Sequence, residues 1–168
     1  LLASLCLLLS LQSLHGDEGA VADAGGAMVI AAEKFLAALD DEEAAEATMA
    51  FDDPARQDWH NIPKADRKGL QFHDMSAAQK ELCHNLLRAA LSESGYDKAT
   101  KIMALENNLR EGEKGVRGAP LRDPERYFIT IFGEPDRKGV WGWSFEGHHL
   151  SLNFVIRDGK TICNTPSF

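Results

Sequence analysis

The chain has 168 residues and a mass of 18.5 kDa, the size of one domain. With 44% hydrophobic and 26% charged residues it has an ordinary globular make-up, which excludes a disordered or collagen-like chain. Its net charge of −8 argues against a nucleic-acid or anionic-membrane partner, because attraction to phosphate needs a basic face.

Leu1 to Leu11 reads LLASLCLLLSL, an almost wholly apolar run. It falls short of the roughly 20 residues that a membrane-spanning helix needs, so no transmembrane segment is expected. It fits the apolar region of a secretory signal peptide whose charged start is missing. Ala20-Val21-Ala22 and Ala22-Asp23-Ala24 are small-residue cleavage patterns, so residues 1–24 read as the signal peptide and the mature chain starts near Gly25. The competing reading of the run is a buried apolar helix. Export to the periplasm or the extracellular space is the expectation. Losing residues 1–24 removes Asp17, Glu18 and Asp23 but no base, which brings the net charge from −8 to −5. Cys6 is lost with them. Cys83 and Cys163 remain, as a disulfide that export permits or as two buried thiols. No Cys-x-x-Cys occurs, which excludes a cysteine zinc ribbon or a thioredoxin motif.

Met28, Ala31, Ala32, Phe35, Ala38 and Leu39 recur at a helical period, so a helix is expected over Met28–Leu39. Asp40 and Asp41 can cap a second, short helix with Glu42 and Glu43 in its first turn, ending near Met49. Pro54 follows and breaks the pattern. The acids between Asp40 and Asp53 lack the alternating order of a calcium loop and read as a solvated helix start. Residues 54–75 look irregular. Ser76-Ala77-Ala78-Gln79 is a capping box that opens a helix with Leu82, Leu86, Leu87, Ala90 and Leu91 on one stripe and Gly95 as its stop. A fourth helix over Asp97–Leu109 carries Ile102, Met103, Leu105, Glu106 and Leu109 on or near its inner side; the short connection suggests an antiparallel helical hairpin. Gly112, Gly115, Gly118, Pro120 and Pro124 make residues 111–126 a flexible loop, and the glycine spacing matches no nucleotide motif.

The period then changes to two. Strands are expected over Tyr127–Phe132, Trp141–Glu146, His148–Arg157 and Lys160–Cys163, with Asp158-Gly159 as a hairpin turn. The predicted class is α+β: N-terminal helices, including a helical hairpin (27–110), followed by an antiparallel β-meander (127–168). Residues 25–168 form one domain, and the halt at Phe168 straight after a strand-like run reads as a C-terminal truncation.

Residues Trp141 to Phe154 read WGWSFEGHHLSLNF. In one regular strand, Trp141, Trp143 and Phe145 would share a face with His149, Ser151 and Asn153, so the apolar side would switch halfway. One extra residue at Gly147, from a bulge or a tight turn, restores the phase. Trp141, Trp143, Phe145, His148, Leu150, Leu152, Phe154 and Ile156 then line one side. Gly142, Ser144, Glu146, His149, Ser151, Asn153 and Arg157 line the other. His148 faces the core and needs a partner there. Glu146 and His149 share the polar side, and a carboxylate beside an imidazole suits proton transfer or metal ligation. Zinc takes three or four ligands; His60, His73, His84 or a missing C-terminal part would supply the third. Ser144 lies in a strand pattern one residue too long for a nucleophile elbow, which disfavours a serine hydrolase.

Phe51-Asp52-Asp53-Pro54 with Trp59-His60, Arg67-Lys68-Gly69-Leu70, Gly95-Tyr96-x-Lys98-Ala99, the run from Trp141 to Phe154 and Thr165-Pro166-Ser167-Phe168 resemble the bacterial family known as domain of unknown function 3500. The resemblance covers about residues 27–168 and implies an exported protein longer than this chain. It brings no activity, cofactor or catalytic residue.

Two functional readings stand side by side. One is an exported acid–base or metal-assisted enzyme with Glu146, His149 and His60 as catalytic or metal-binding groups, Arg157 as an anion contact and a divalent metal as the candidate cofactor. The other is a non-catalytic ligand-binding or structural envelope domain in which Trp59, Trp141 and Trp143 stack on a small-molecule or polymer ligand.

Overall fold

The fold comes from a computed structural model that describes residues 18–64, 66–117 and 119–167. The expected signal peptide lies mostly outside the described residues. Helix α1, Glu18–Leu36, starts ten residues earlier than the apolar period suggested and ends in a turn over residues 37–39. It buries Met28, Val29, Ala32 and Phe35. Among the described residues no helix is long and apolar enough to cross a membrane.

Helix α2, Asp41–Ala47, starts at a capping box: the Asp40 carboxylate accepts from Glu42 N and Glu43 N, and Glu43 reaches back to Asp40 N. It stops two residues before the expected end, because Thr48–Met49 leave as strand β1. A short 3₁₀ turn, Pro54–Gln57, is followed by strand β2, Leu70–Gln71, and a second 3₁₀ turn, Phe72–Asp74. Helix α3, Ala77–Ala90, opens at the expected Ser76/Gln79 capping box. Its Gln79 Nε2 also donates to Ala38 O at 3.0 Å and to Glu43 Oε2 at 2.6 Å, so the starts of α2 and α3 are joined.

Helix α4, Glu93–Gly112, begins before Gly95, not after it. Ser92 caps it by accepting from Gly95 N, so this glycine sits in a first turn. Leu91 is the residue that breaks α3 from α4, in an extended conformation. Phe72, His84 and Tyr96 stack edge to face in sequence, with 5.2 Å and 5.8 Å between ring centres, and Tyr96 Oη lies 3.0 Å from His84 Nδ1.

Strands β3 (Phe128–Phe132), β4 (Val140–Gly147), β5 (Leu150–Arg157) and β6 (Lys160–Asn164) pair antiparallel in chain order. The sheet is nevertheless mixed. On the outer side of β3, β2 pairs antiparallel and β1 pairs parallel, Thr48 opposite Ile131. The pure antiparallel meander is thus corrected: two-residue strands carry no period for a sequence pattern to reveal. Asp158 and Gly159, with φ of 50° and 71°, form the expected two-residue β5–β6 turn.

Ile129, Ile131, Trp141, Trp143, Phe145, Leu150, Leu152, Phe154 and Ile156 line one face of the sheet and join the core formed with the helices. The other face is buried as well, at Phe128, Thr130, Phe132, Ser144, Glu146 and Ser151. It is covered by the irregular segment between β1 and β2, here called the strap. At Gly69, with φ 91°, a Cβ would stand 2.3 Å from both Ile129 O and Thr130 Oγ1, so the end of the strap runs directly against β3.

Candidate functional site

Gly147 pairs with Leu150 in the regular β4–β5 ladder, so no bulge interrupts it. The tight-turn alternative holds: His148 and His149 form a two-residue turn, His149 with φ 58°. The reversal sets the faces as the alternation required, with Trp141, Trp143 and Phe145 opposite Ile156, Phe154 and Leu152, and Ser144 and Glu146 opposite Asn153 and Ser151. Gly147 is needed for another reason: the Tyr127 ring lies where its side chain would be.

Glu146 and His149 differ in their surroundings. Glu146 is buried on the strap side, where its Oε1 accepts from Lys68 Nζ at 2.6 Å and its Oε2 lies 3.8 Å from the Arg67 guanidinium. His149 is exposed, its ring centre 3.8 Å from that of His148, and its backbone N–H donates to Asn61 O at 2.8 Å. His60 lies on the strap, with Nε2 2.9 Å from Asp58 Oδ1. Among the described residues no three or more His, Cys, Asp or Glu gather closely enough to hold a metal ion. Trp141 and Trp143 are buried core residues, Trp143 stacked on Phe154 at 4.6 Å; Trp59 is 43% exposed. Arg157 is exposed at the end of β5. Cys83 and Cys163 are free thiols, the first buried, with its pKa pushed up by burial, and the second exposed.

A different Glu/His pair is formed. His148 turns toward α4, and its Nδ1 lies 2.5 Å from Glu106 Oε1. The same nitrogen lies 3.0 Å from Arg122 Nη1, a group that can only donate, so the imidazole sits between a carboxylate and a guanidinium. Glu106 is almost fully buried, and burying a carboxylate requires compensation. His148 supplies part of it, and the Arg122 guanidinium lies 4.0 Å from Glu106 Oε2. Arg122 is held in turn by Glu113, Nε to Oε2 at 2.9 Å and Nη2 to Oε1 at 2.8 Å. This fork lowers the Glu113 pKa and raises that of Arg122. The segment read as a flexible loop is therefore tied down through Arg122.

Beneath the turn, Tyr127 Oη donates to His148 O at 2.9 Å. Burial, and secondly the charge of Glu106, raise the Tyr127 phenol well above its ordinary value. The strap closes the other side. Lys68 Nζ donates to Asp58 O at 2.6 Å, and the Arg67 guanidinium donates to His60 O and Ile62 O. Burial lowers the Arg67 pKa, opposed by the charge of Glu146. Between these parts lies a cavity of about 260 Å³ whose lining includes Lys64, Arg67, Glu106, Arg126, Tyr127 and His148.

The family described as a protein of unknown function, DUF3500, matches residues 22–168. The chain belongs to this family. No curated protein and no solved structure matches the chain. For this DUF3500 chain, then, its own geometry carries the functional argument.

The sequence pattern pointed to the turn and to Glu146 beside it; the contact between Glu106 and His148 lay outside that reading. Glu106 was visible as a charge on the stripe of Ala99 and Met103 that buries α4, and an acid on such a stripe needs a buried partner. Arg122 has no comparable signal, standing among prolines, glycines and mixed charges. Arg67 and Lys68 lie in a run without a period.

Proposed function

We propose that this is an exported protein that takes a small anionic molecule, bearing a carboxylate or a phosphate, into the cavity beside His148 and acts on it by proton transfer through Glu106 and His148. The observation that carries the reading is the 2.5 Å contact between Glu106 Oε1 and His148 Nδ1 at the wall of that cavity. A buried carboxylate within hydrogen-bond reach of an imidazole orients the ring at the cavity wall, an arrangement that suits proton transfer. Three cations, Lys64, Arg67 and Arg126, line the cavity against two carboxylates, Glu106 and Asp123, and Arg122 opposes the charge of Glu106, a balance that favours an anion over a cation as the guest. Export is supported by the apolar run at residues 1–11 and the small-residue patterns that follow it.

The test follows the His148 ring by NMR while inorganic phosphate or acetate is titrated into the full-length protein, alongside turnover of a panel of phosphate and carboxylic esters. The His148 signals should move on anion addition and respond less in Lys64→Ala. Turnover should fall by ~10²–10⁴-fold in His148→Gln. Signals indifferent to both anions, or turnover unchanged in His148→Gln, overturn the reading. N-terminal sequencing of the protein from its native host checks export separately: a start near Gly25 is expected, and an intact leader would exclude it.

A further inference from the structure

A second cavity, of about 360 Å³, lies between the strap and strands β5 and β6, its lining including Arg56, Gln57, Trp59, Asn153, Cys163 and Thr165. It shares no lining residue with the cavity beside His148. Its chemistry also differs. Arg56 is the one charged residue among those lining it; its Nε donates to Phe51 O at 2.7 Å, and the guanidinium stands 4.4 Å over the Phe51 ring. Beside it stand an indole, two side-chain amides, a hydroxyl and a thiol.

Trp59 is the informative residue. Burying an indole is strongly favourable, and the other two tryptophans are fully buried, yet Trp59 is left 43% exposed. It is also held in place. The carbonyls on either side of it, Asp58 O and His60 O, accept from Lys68 and Arg67, and both of those cations are anchored on the buried Glu146 carboxylate. The chain flanking the indole is thus fixed before any guest arrives, which lowers the ordering cost of binding. An independent feature lies on the opposite wall. The β5–β6 register shifts between Val155 and Ile156, beside the Val155–Cys163 pair, and such irregularities re-aim side chains next to binding sites.

We propose that this cavity binds a neutral sugar ring, with one apolar face stacked on Trp59 and its hydroxyls met by Gln57, Asn153 and Thr165. Amides and hydroxyls both donate and accept, as sugar hydroxyls require. An anionic guest would find one cation here, packed on an aromatic ring, against three lining the cavity beside His148. The site is independent of the proton-transfer reading.

The experiment uses the full chain carrying Cys6→Ser, titrated with cello-, malto-, xylo- and chito-oligosaccharides while tryptophan emission is recorded. At least one series should shift the emission saturably, because Trp59 is the exposed indole. The same sugar should slow maleimide labelling of Cys163, which lies on the cavity wall. Trp59→Ala should weaken binding roughly tenfold or more, with Trp59→Phe retaining part of it, since a stacking ring is the contact removed. Asn153→Ala should weaken binding with the indole intact, and His148→Gln should leave it unchanged. Absence of saturable binding to all four series, or equal affinity in Trp59→Ala and Asn153→Ala, overturns the proposal.

Discussion

The ring of Tyr127 fills the space that a side chain at position 147 would occupy: a Cβ on Gly147 would stand 2.2 Å from Tyr127 Cδ1. Tyr127 in turn stacks on Phe145, ring centres 5.6 Å apart, and its hydroxyl holds the carbonyl of His148. The glycine therefore sets the depth at which the aromatic layer supports the histidine turn. Gly147→Ala should cost about 1–3 kcal/mol by overpacking a filled core, measured by urea unfolding. Tyr127→Leu should cost stability on the wild-type background but less on the Gly147→Ala background, since the two side chains compete for one space. Additive costs would show that the ring is free to move aside.

The Glu146–Lys68 pair tethers the strap to the sheet with both side chains nearly out of solvent. Removing one partner of a buried pair leaves an uncompensated charge, so Lys68→Met should cost ~3–5 kcal/mol, reduced here by the nearby Arg67. Lys68→Met combined with Glu146→Leu should be less damaging than the two single costs added together. Chemical denaturation of the four proteins checks this.

Burial, with Arg88 adding to it, holds His84 below the ordinary imidazole range, between Phe72 and Tyr96. The unfolded chain then binds this proton more readily than the folded chain does. Its contribution is complete above the unfolded value near 6.5 and is lost as the pH falls through it toward the depressed folded value. The denaturation midpoint should therefore drop on acidification from about pH 7 to 5, and by less in His84→Gln. An identical pH slope in the variant would remove His84 as the source.

Arg122 joins the segment after α4 to Glu106 and Glu113. Arg122→Met should open residues 113–126 to proteolysis at rates several-fold above wild type while leaving the sheet intact. Limited proteolysis read by mass spectrometry would show cleavage concentrated there, and an unchanged digestion pattern would contradict the role.

Elements with a long period were legible in the sequence, and those without one were not. The Ser76/Gln79 cap, the Asp40/Glu43 cap, the alternation through β4 and β5 and the Asp158-Gly159 turn all follow from local rules. The parallel β1 contact and the strap depend on partners far away in the chain, and no local pattern encodes them. The candidate site was half visible. The histidine turn could be placed from the phase of the strand, but the acid that meets His148 comes from a helix 42 positions earlier, beyond the reach of a strand period.

The Oε2 atom of Glu43 accepts from Asp40 N, closing the cap of α2, and also from the Gln79 side chain that closes the cap of α3. One oxygen thus serves two helix starts that lie 36 residues apart along the chain. Neither start can fray alone without disturbing the other, so the amides of both first turns should exchange with solvent in a single shared opening event.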